Sequence, residues 1–313
     1  MVDDFIPLGE QPADVILAKL RELEGPEGTE GLVLRGGPPT KGLEGLFGSK
    51  PWLNTQHQYG FIPRFSPGKE RYHPIFAASN LPEGEALTYA ALAASRKRIN
   101  LRLDYLRIYQ YPAPALNLGN NVHTILFTFE ARNQVQEGAE AVAFSQTYEA
   151  RSGQDAAVTG YPIFIGLNVG PQGVAFSCKT VNVCNSNDET LVRAINSEAT
   201  TVGLNLLTTA QPALAPFVGV ARGLCTSLAK HSQNTPVQKF TLGLDFETGA
   251  TGARLAIGSY VVAQVPRANE IAWSDWKFDV ETGTVVRANL AAGEEAYALP
   301  YNAIVFRVSG YQS

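Results

Sequence analysis

The stretch LRLDYLRIYQY, residues 101–111, marks the point at which the chain turns from irregular and helical patterns to β structure. Leu101, Leu103 and Tyr105 alternate with polar residues before the phase slips, and a proline-containing segment then ends the run. Alternation with a period of two is typical of a strand with one buried face. Proline ends such a run because it has no amide hydrogen to donate to a sheet. The stretch therefore predicts a strand that ends at a turn.

Runs rich in β-branched and aromatic residues follow on both sides of a helical segment, and turn residues such as Asn, Gly and Pro bound the earlier ones. They cover residues 122–130, 141–149, 161–169, 173–183, 237–247, 253–265 and 303–308. A hairpin is also predicted, with strands 276–280 and 284–287 joined by a turn at 281–283. Successive strands without intervening helices favour antiparallel pairing. We therefore predict a mainly β fold, an antiparallel β-sandwich over residues 100–313.

Residues 1–99 form a loop-rich N-terminal region in this interpretation. Many glycines and prolines between residues 24 and 82 exclude long regular elements there. Apolar residues at helical spacing predict two short helices, near residues 12–24 and 82–99. Gly25 is the expected end of the first of these helices.

An uncharged stretch, ATTVGLNLLTTAQPALAPFVGVA at residues 199–221, lies inside a predicted helical insert. An N-cap cluster around Asp188 and an apolar stripe that runs to Leu206 predict one helix, which Pro212 ends. A second helix is expected to open around Pro216 and to end near Lys230. The insert, residues 187–232, is thus an αα-hairpin. Neither helix has the roughly 20 predominantly apolar residues needed to cross a bilayer, so no permanent membrane span is expected.

Composition narrows the class of protein. The 313 residues carry a formal net charge of −4 and 45% hydrophobic residues, which suits a globular protein with a substantial core. No segment has the one-sided positive charge that nucleic-acid binding usually needs. Three cysteines do not suggest a disulfide framework, and the acidic start of the chain does not resemble a secretory signal. A cytoplasmic location follows as an expectation.

A search for catalytic spacing finds no HExxH, GxSxG or phosphate-loop motif, and no pair of residues at metal-ligand spacing. We expect no metal and no cofactor, and no residue is assigned a catalytic role. His57, in a polar loop, is the better binding or site candidate among the histidines. His123, at the start of an apolar strand, is interpreted as a strand-edge or core residue bonded to backbone.

The most distinctive short motif is Trp273-Ser274-Asp275-Trp276, just before the predicted hairpin. Tryptophan side chains concentrate binding energy at interfaces, and an adjacent carboxylate adds a polar contact. Trp273, Asp275 and Trp276 are therefore candidate binding residues alongside His57. The alternative is that the two tryptophans close one end of the sandwich.

These observations favour a non-enzymatic β-sandwich protein that acts through self-assembly or by binding a protein partner. Two alternatives stay open. One is a membrane-active, pore-forming-like effector whose helical insert is released by a trigger, with conditional membrane contact. The other is a hydrolase whose site is built from distant loops, for instance His57 with a serine and an aspartate.

Overall fold

Strands dominate the computed structural model of the protein. The structure describes residues 5–25, 50–65, 68, 70–95, 97–112, 122–135, 138–155, 160–184, 188, 204–206, 211–231, 233–247, 253–289 and 297–311. Among them are two α-helices, α1 (Ala13–Glu24) and α2 (Gln211–Lys230), and short 3-10 helices at Leu8–Glu10, Pro51–Leu53, Ala91–Ser95 and Trp273–Asp275.

The largest sheet has eight strands. They are β1 (Gln56–Pro63), β3 (Phe76–Ala77), β4 (Arg98–Ile108), β7 (Gln154–Asp155), β8 (Tyr161–Asn168), β10 (Leu204–Asn205), β12 (Gly258–Val265) and β15 (Ala303–Gly310). Their order is β10-β8-β4-β15-β12-β1-β3, with β7 beside β4. All these pairs are antiparallel except β10 with β8.

Two smaller sheets complete the β structure. The four-stranded sheet contains β5 (Val122–Val135), β6 (Gly138–Arg151), β9 (Val174–Val183) and β11 (Thr235–Leu244), in the order β11-β9-β5-β6. The three-stranded sheet contains β2 (Tyr72–Pro74), β13 (Trp276–Asp279) and β14 (Thr284–Arg287), in the order β14-β13-β2. The mainly β, antiparallel architecture predicted from sequence is confirmed.

The eight-stranded and four-stranded sheets share one apolar core. Phe129 of β5 lies with its ring centroid 5.7 Å from that of Phe306 in β15 and 6.3 Å from that of Phe164 in β8. Phe176 of β9 reaches the same Phe306 ring at 6.0 Å. Aromatic residues on the inner faces of both sheets therefore interdigitate, as the predicted sandwich requires.

The eight-stranded and four-stranded sheets each pack against another element on the face away from this core. The three-stranded sheet packs on the eight-stranded one, where Phe278 of β13 contacts Tyr105 of β4 with ring centroids 5.5 Å apart. Helix α2 packs on the four-stranded sheet, where Cys225 and Leu228 share a buried cluster with Leu126 of β5 and the end of β9. The order of layers is α2, four-stranded sheet, eight-stranded sheet, three-stranded sheet.

The structure differs from the helix predicted over residues 82–99. That segment contains turns and the 3-10 helix Ala91–Ser95, and β4 already begins at Arg98. Leu87 N–H donates to Leu255 O at 2.8 Å, and Ala86 pairs with Ala256 in an isolated bridge. Pairing with a distant segment overrides the helical propensity of the alanines. The first predicted helix is present as α1, and Gly25 N–H closes it on Arg21 O at 3.0 Å.

The helical insert is described only in part. Helix α2 ends at Lys230, as expected, but it begins at Gln211 and not around Pro216. Pro212 lies in the first turn, where a helix needs no amide donor. The helix predicted before it lies outside the described residues except for Asp188 and residues 204–206. Leu204–Asn205 forms β10, so the predicted helix does not run through Leu206.

The N-terminal boundary predicted at residue 99 stays a prediction. Strand β1 lies between β12 and β3 in the eight-stranded sheet, so this strand from the first 99 residues pairs directly with a strand from the second half of the chain. The hairpin formed by β13 and β14 is confirmed, with Glu281-Thr282-Gly283 in the turn.

Candidate functional site

His57 lies on β1 with its ring packed against Phe240 of β11, at a centroid distance of 5.2 Å. The ring is partly exposed, but Nε2 itself is buried and makes no hydrogen bond to any described residue. Burial lowers the pKa of His57 to about 4, and a backbone hydrogen bond to Thr55 offsets this only in part. At neutral pH the side chain is therefore an uncharged packing residue.

Trp273 lies on the opposite side of the same strand. It is buried against Gly60 of β1, where a Cβ atom would come 3.0 Å from Cε2 of the indole. Gly60 and His57 are three residues apart in one strand, so their side-chain positions are on opposite faces. The structure therefore does not bring these two candidates together. Trp273 is a packing residue, but it lies between the eight-stranded and three-stranded sheets and does not close one end of the predicted sandwich.

Trp276 is the first residue of β13 and is largely buried, whereas Asp275, directly before it, is exposed. Trp276 pairs across strands with Arg287, whose guanidinium carbon lies 5.8 Å from the centroid of the indole. The backbone N–H of Arg287 donates to the backbone carbonyl oxygen of Tyr297 at 3.1 Å, and the centroids of the Tyr297 and Trp276 rings are 6.5 Å apart. We call Trp276, Arg287 and Tyr297 the aromatic–arginine row. The carboxylate of Asp275, which precedes Trp276, is exposed.

Two residues of the aromatic–arginine row are distinctive, Tyr297 in its exposure and Arg287 in its lack of a described carboxylate partner. Tyr297 is 55% exposed, the largest value among the exposed large hydrophobic residues in the described part of the chain, whereas Trp276 is 9% exposed. Arg287 makes no ion pair with any described residue. By contrast, Arg71 on the same small sheet is held by Asp279 at 2.7 Å and by Glu281 at 2.9 Å. Arg287 thus presents a positive charge that the described residues leave without a carboxylate.

A second group of polar side chains lies at one end of the four-stranded sheet. His123, at the start of β5, is 3% exposed, and its Nε2 lies 2.9 Å from Oγ of Ser152 in the turn after β6. The ring also meets Tyr111 edge to face, with centroids 5.9 Å apart. Burial lowers the pKa of His123, and an interaction with Asn182 raises it by less. The expectation of a backbone partner for His123 is therefore not what the structure shows, since the partner is a serine hydroxyl.

Asn182 of β9 connects this pair to further polar groups. Its Nδ2 donates to Sγ of Cys184 at 3.3 Å, and Cys184 N–H donates to Oδ1 of Asn234 at 3.0 Å. Asn234 Nδ2 donates to Asp188 at 2.7 Å, and Nδ1 of His231 lies 2.9 Å from the same carboxylate. We call this chain, from Ser152 to His231, the strand-end network. Ser152 and Asn182 were not among the candidates predicted from sequence, because their contacts with His123 depend on the pairing of distant strands.

Other site types receive no support from the described part of the chain. Within it, no three His, Cys, Asp or Glu side chains are grouped so that they could hold a metal ion. Cys178, Cys184 and Cys225 form no disulfide, and burial raises the pKa of the Cys178 thiol well above its usual value. Neither α1 nor α2 combines the length and hydropathy of a membrane-spanning helix.

Comparison with known proteins gives no relative from which a role could be transferred. No family model matches the chain, and no curated protein or solved structure is significantly similar to it.

Proposed function

We propose that the protein acts by binding another protein, and that the aromatic–arginine row binds an acidic segment of that partner. The observation that carries this proposal is the position of Arg287. Its guanidinium lies over Trp276, and no described carboxylate neutralises it. A guanidinium that contacts an aromatic ring keeps its hydrogen-bond donors available for bidentate contact with a carboxylate.

The residue types in the row support a binding role. Tryptophan, tyrosine and arginine are the residues that most often dominate the energy of protein interfaces. Tyr297 is more than half exposed and offers apolar area together with a hydroxyl. The row is too small to form a whole interface, which typically buries about 800 Å² on each partner. It would serve as the anchor of a larger contact.

The scaffold below the row is well ordered by packing and polar contacts. Trp276 and Phe278 belong to the buried cluster between the small sheet and the eight-stranded sheet. The buried Asp279 accepts hydrogen bonds from Arg71 at 2.7 Å and from Glu281 N–H at 3.0 Å, which holds the hairpin turn against the strand before it. Binding groups on rigid elements lose little conformational entropy on association.

Photo-crosslinking tests this proposal. A p-benzoylphenylalanine in place of Tyr297 should give one reproducible adduct with another protein, and the crosslinked peptide of that protein should be acidic. Arg287→Glu in the same chain should lower the adduct yield about tenfold or more, since loss of a central charge contact costs at least 1.4 kcal/mol.

The control is the same photoreactive group at Tyr72. That tyrosine is 42% exposed on the same small sheet and lies under Arg71, whose charge is already paired. No adduct with this partner is expected from position 72. An adduct that is unaffected by Arg287→Glu, or no adduct from position 297, would contradict the proposal. An adduct between two copies of this chain would replace it with self-assembly.

A further inference from the structure

We infer that Ser152 is a nucleophile activated by His123, able to attack carboxylic esters that carry a small apolar acyl group. This inference does not depend on the partner-binding proposal, and it assigns the chain an activity that the expected non-enzymatic role does not include. It rests on the 2.9 Å contact between Ser152 Oγ and His123 Nε2, and on the environment of these two side chains.

Hairpin geometry brings the two residues together. His123 pairs with Ala150 near the ends of β5 and β6, and Ser152 follows in the turn. Gly153, with φ of +79°, lets the chain turn sharply into β7. Ser152 is half-buried and His123 is almost fully buried. A serine with a base within hydrogen-bond distance is the core of an activated nucleophile.

Asn182 is the group that can orient the ring. Its Oδ1 is buried and makes no well-formed hydrogen bond to a described residue, and its interaction with His123 raises the pKa of the imidazole. An amide oxygen beside the ring favours a proton on the nitrogen that faces it, which leaves Nε2 as the acceptor for the serine proton. A serine, a histidine and an orienting amide are the parts that nucleophilic catalysis needs.

The surroundings of Ser152 indicate an apolar acyl group. Val122 pairs with Arg151, directly before the serine, and Tyr109 O accepts a hydrogen bond from Gly153 N–H, directly after it. Val122 and Tyr109 are each 37% exposed, and they are two of the few large hydrophobic residues exposed in the described part of the chain. Neighbouring residues of a strand face opposite sides, so Val122 lies on the other face of β5 from His123. Tyr109 is therefore the apolar side chain that we expect an acyl group to contact.

The reaction balances with water as the second reactant. Ser152 Oγ forms a bond to the ester carbonyl carbon while its proton moves to His123 Nε2. The tetrahedral intermediate expels the alkoxide, which takes that proton and leaves as the alcohol. Water then attacks the acyl-serine, again with His123 as base, and releases the carboxylic acid and the free hydroxyl.

The rate of ester hydrolysis should be set by general base catalysis, because the Gly153 amide is not available to stabilise the oxyanion. Gly153 N–H is bonded to Ile108 O at 2.7 Å and to Tyr109 O at 3.1 Å, so it does not point to a developing oxyanion. General base catalysis alone contributes about 10²–10⁴-fold. We therefore expect slow turnover of activated esters, and an acyl-serine that can be trapped.

A fluorophosphonate probe tests the inference on the full chain. The expected result is one phosphonylated residue, Ser152, located by intact mass and peptide mapping, with fluoride as the leaving group. Ser152→Ala should abolish this adduct, and His123→Gln should slow its formation about 100-fold. Ser274→Ala, at an exposed serine elsewhere, should leave the rate unchanged. Absence of a Ser152 adduct in the folded protein, or equal rates for wild type and His123→Gln, overturns the inference.

A second comparison covers the case in which His123→Gln fails to fold. Cysteine is placed at position 152 in one variant (Ser152→Cys) and at position 274 in another (Ser274→Cys), and iodoacetamide alkylation is followed by mass at each site. A thiol next to His123 should react at least about tenfold faster, because a neighbouring base increases its thiolate fraction. Equal or slower alkylation at position 152 overturns the inference.

Discussion

Replacing Gly283 with alanine should destabilise the protein by about 2–5 kcal/mol. Gly283 has φ of +68°, a conformation that costs a residue with a Cβ about 1–2 kcal/mol. The added methyl would also lie 1.9 Å from Cε1 and 2.1 Å from Cδ1 of Tyr105. That ring cannot move freely, since it packs edge to face on Phe278 and its hydroxyl donates to Val280 O at 3.4 Å. Overpacking of this kind costs about 1–3 kcal/mol.

Gly84→Ala separates the two contributions. Gly84 has φ of +84°, and its Cβ would have no neighbour within 4 Å, so this variant carries the backbone cost without the clash. Urea unfolding of both variants gives the comparison, and Gly283→Ala should be the less stable by at least about 1 kcal/mol. Equal losses would refute the role of the Tyr105 contact. The difference should shrink in a Tyr105→Ala background, where the clashing ring is absent.

Two further predictions concern buried polar side chains. Burial lowers the pKa of His57 from 6.5 to about 4, so the unfolded chain takes up a proton first as the pH falls through this range, and the free energy of unfolding falls by up to about 3 kcal/mol. His57→Gln should flatten that part of the plot of stability against pH. An unchanged plot would contradict the assignment. The Asn302 side chain accepts hydrogen bonds from the backbone amides of Tyr109 and Gln110 and donates one to Gln264 at 2.9 Å. Asn302→Ala should therefore lower the free energy of unfolding in urea by about 3 kcal/mol or more. Gln110→Ala keeps the backbone amide and should lower it by less than about 1 kcal/mol.

The strands could be predicted because a strand that is buried on one or both faces is rich in β-branched and aromatic residues. The run at residues 122–130 is predicted as a strand and lies within β5, and the run at residues 303–308 lies within β15. The turn at 281–283 was also predictable, since Gly283 occupies a position with positive φ that favours glycine. These patterns are local in the sequence, and they predict the structure correctly where tertiary contacts favour the same conformation.

The predictions that differ from the structure involve pairing between distant segments. Residues 86–87 have a helical pattern, yet they pair with residues 255–256. Leu204–Asn205 has an apolar neighbourhood suited to a helix, yet it adds a short parallel strand to β8. A single sequence does not reveal which distant strand edge will offer hydrogen bonds, and pairing can outweigh the modest differences in helix propensity.

The candidate sites show the same limit. Trp276 was identified from its residue type, but Arg287 and Tyr297 became its neighbours only through cross-strand pairing. The Ser152–His123 contact follows from the register of the β5–β6 hairpin, which places His123 opposite Ala150. A sequence argument that paired these two strands around their turn could have placed the histidine beside the Arg151-Ser152-Gly153 turn. Residue type identifies candidate site residues, whereas the register of the strands determines which of their side chains come into contact.

The strand-end network also bears on the alternative in which the helical insert leaves the sheet to contact a membrane. Release of α2 would expose Leu228 and Cys225, which are 0% and 1% exposed, and would break the contact of His231 with Asp188. Exposing a fully buried leucine side chain alone costs about 1.5–3 kcal/mol. Release of the whole insert, residues 187–232, would also separate Asp188 from Asn234, which is bonded to Cys184 directly after β9. A trigger that releases α2 therefore has to supply several kcal/mol and must perturb the end of the sheet where Ser152 and His123 lie.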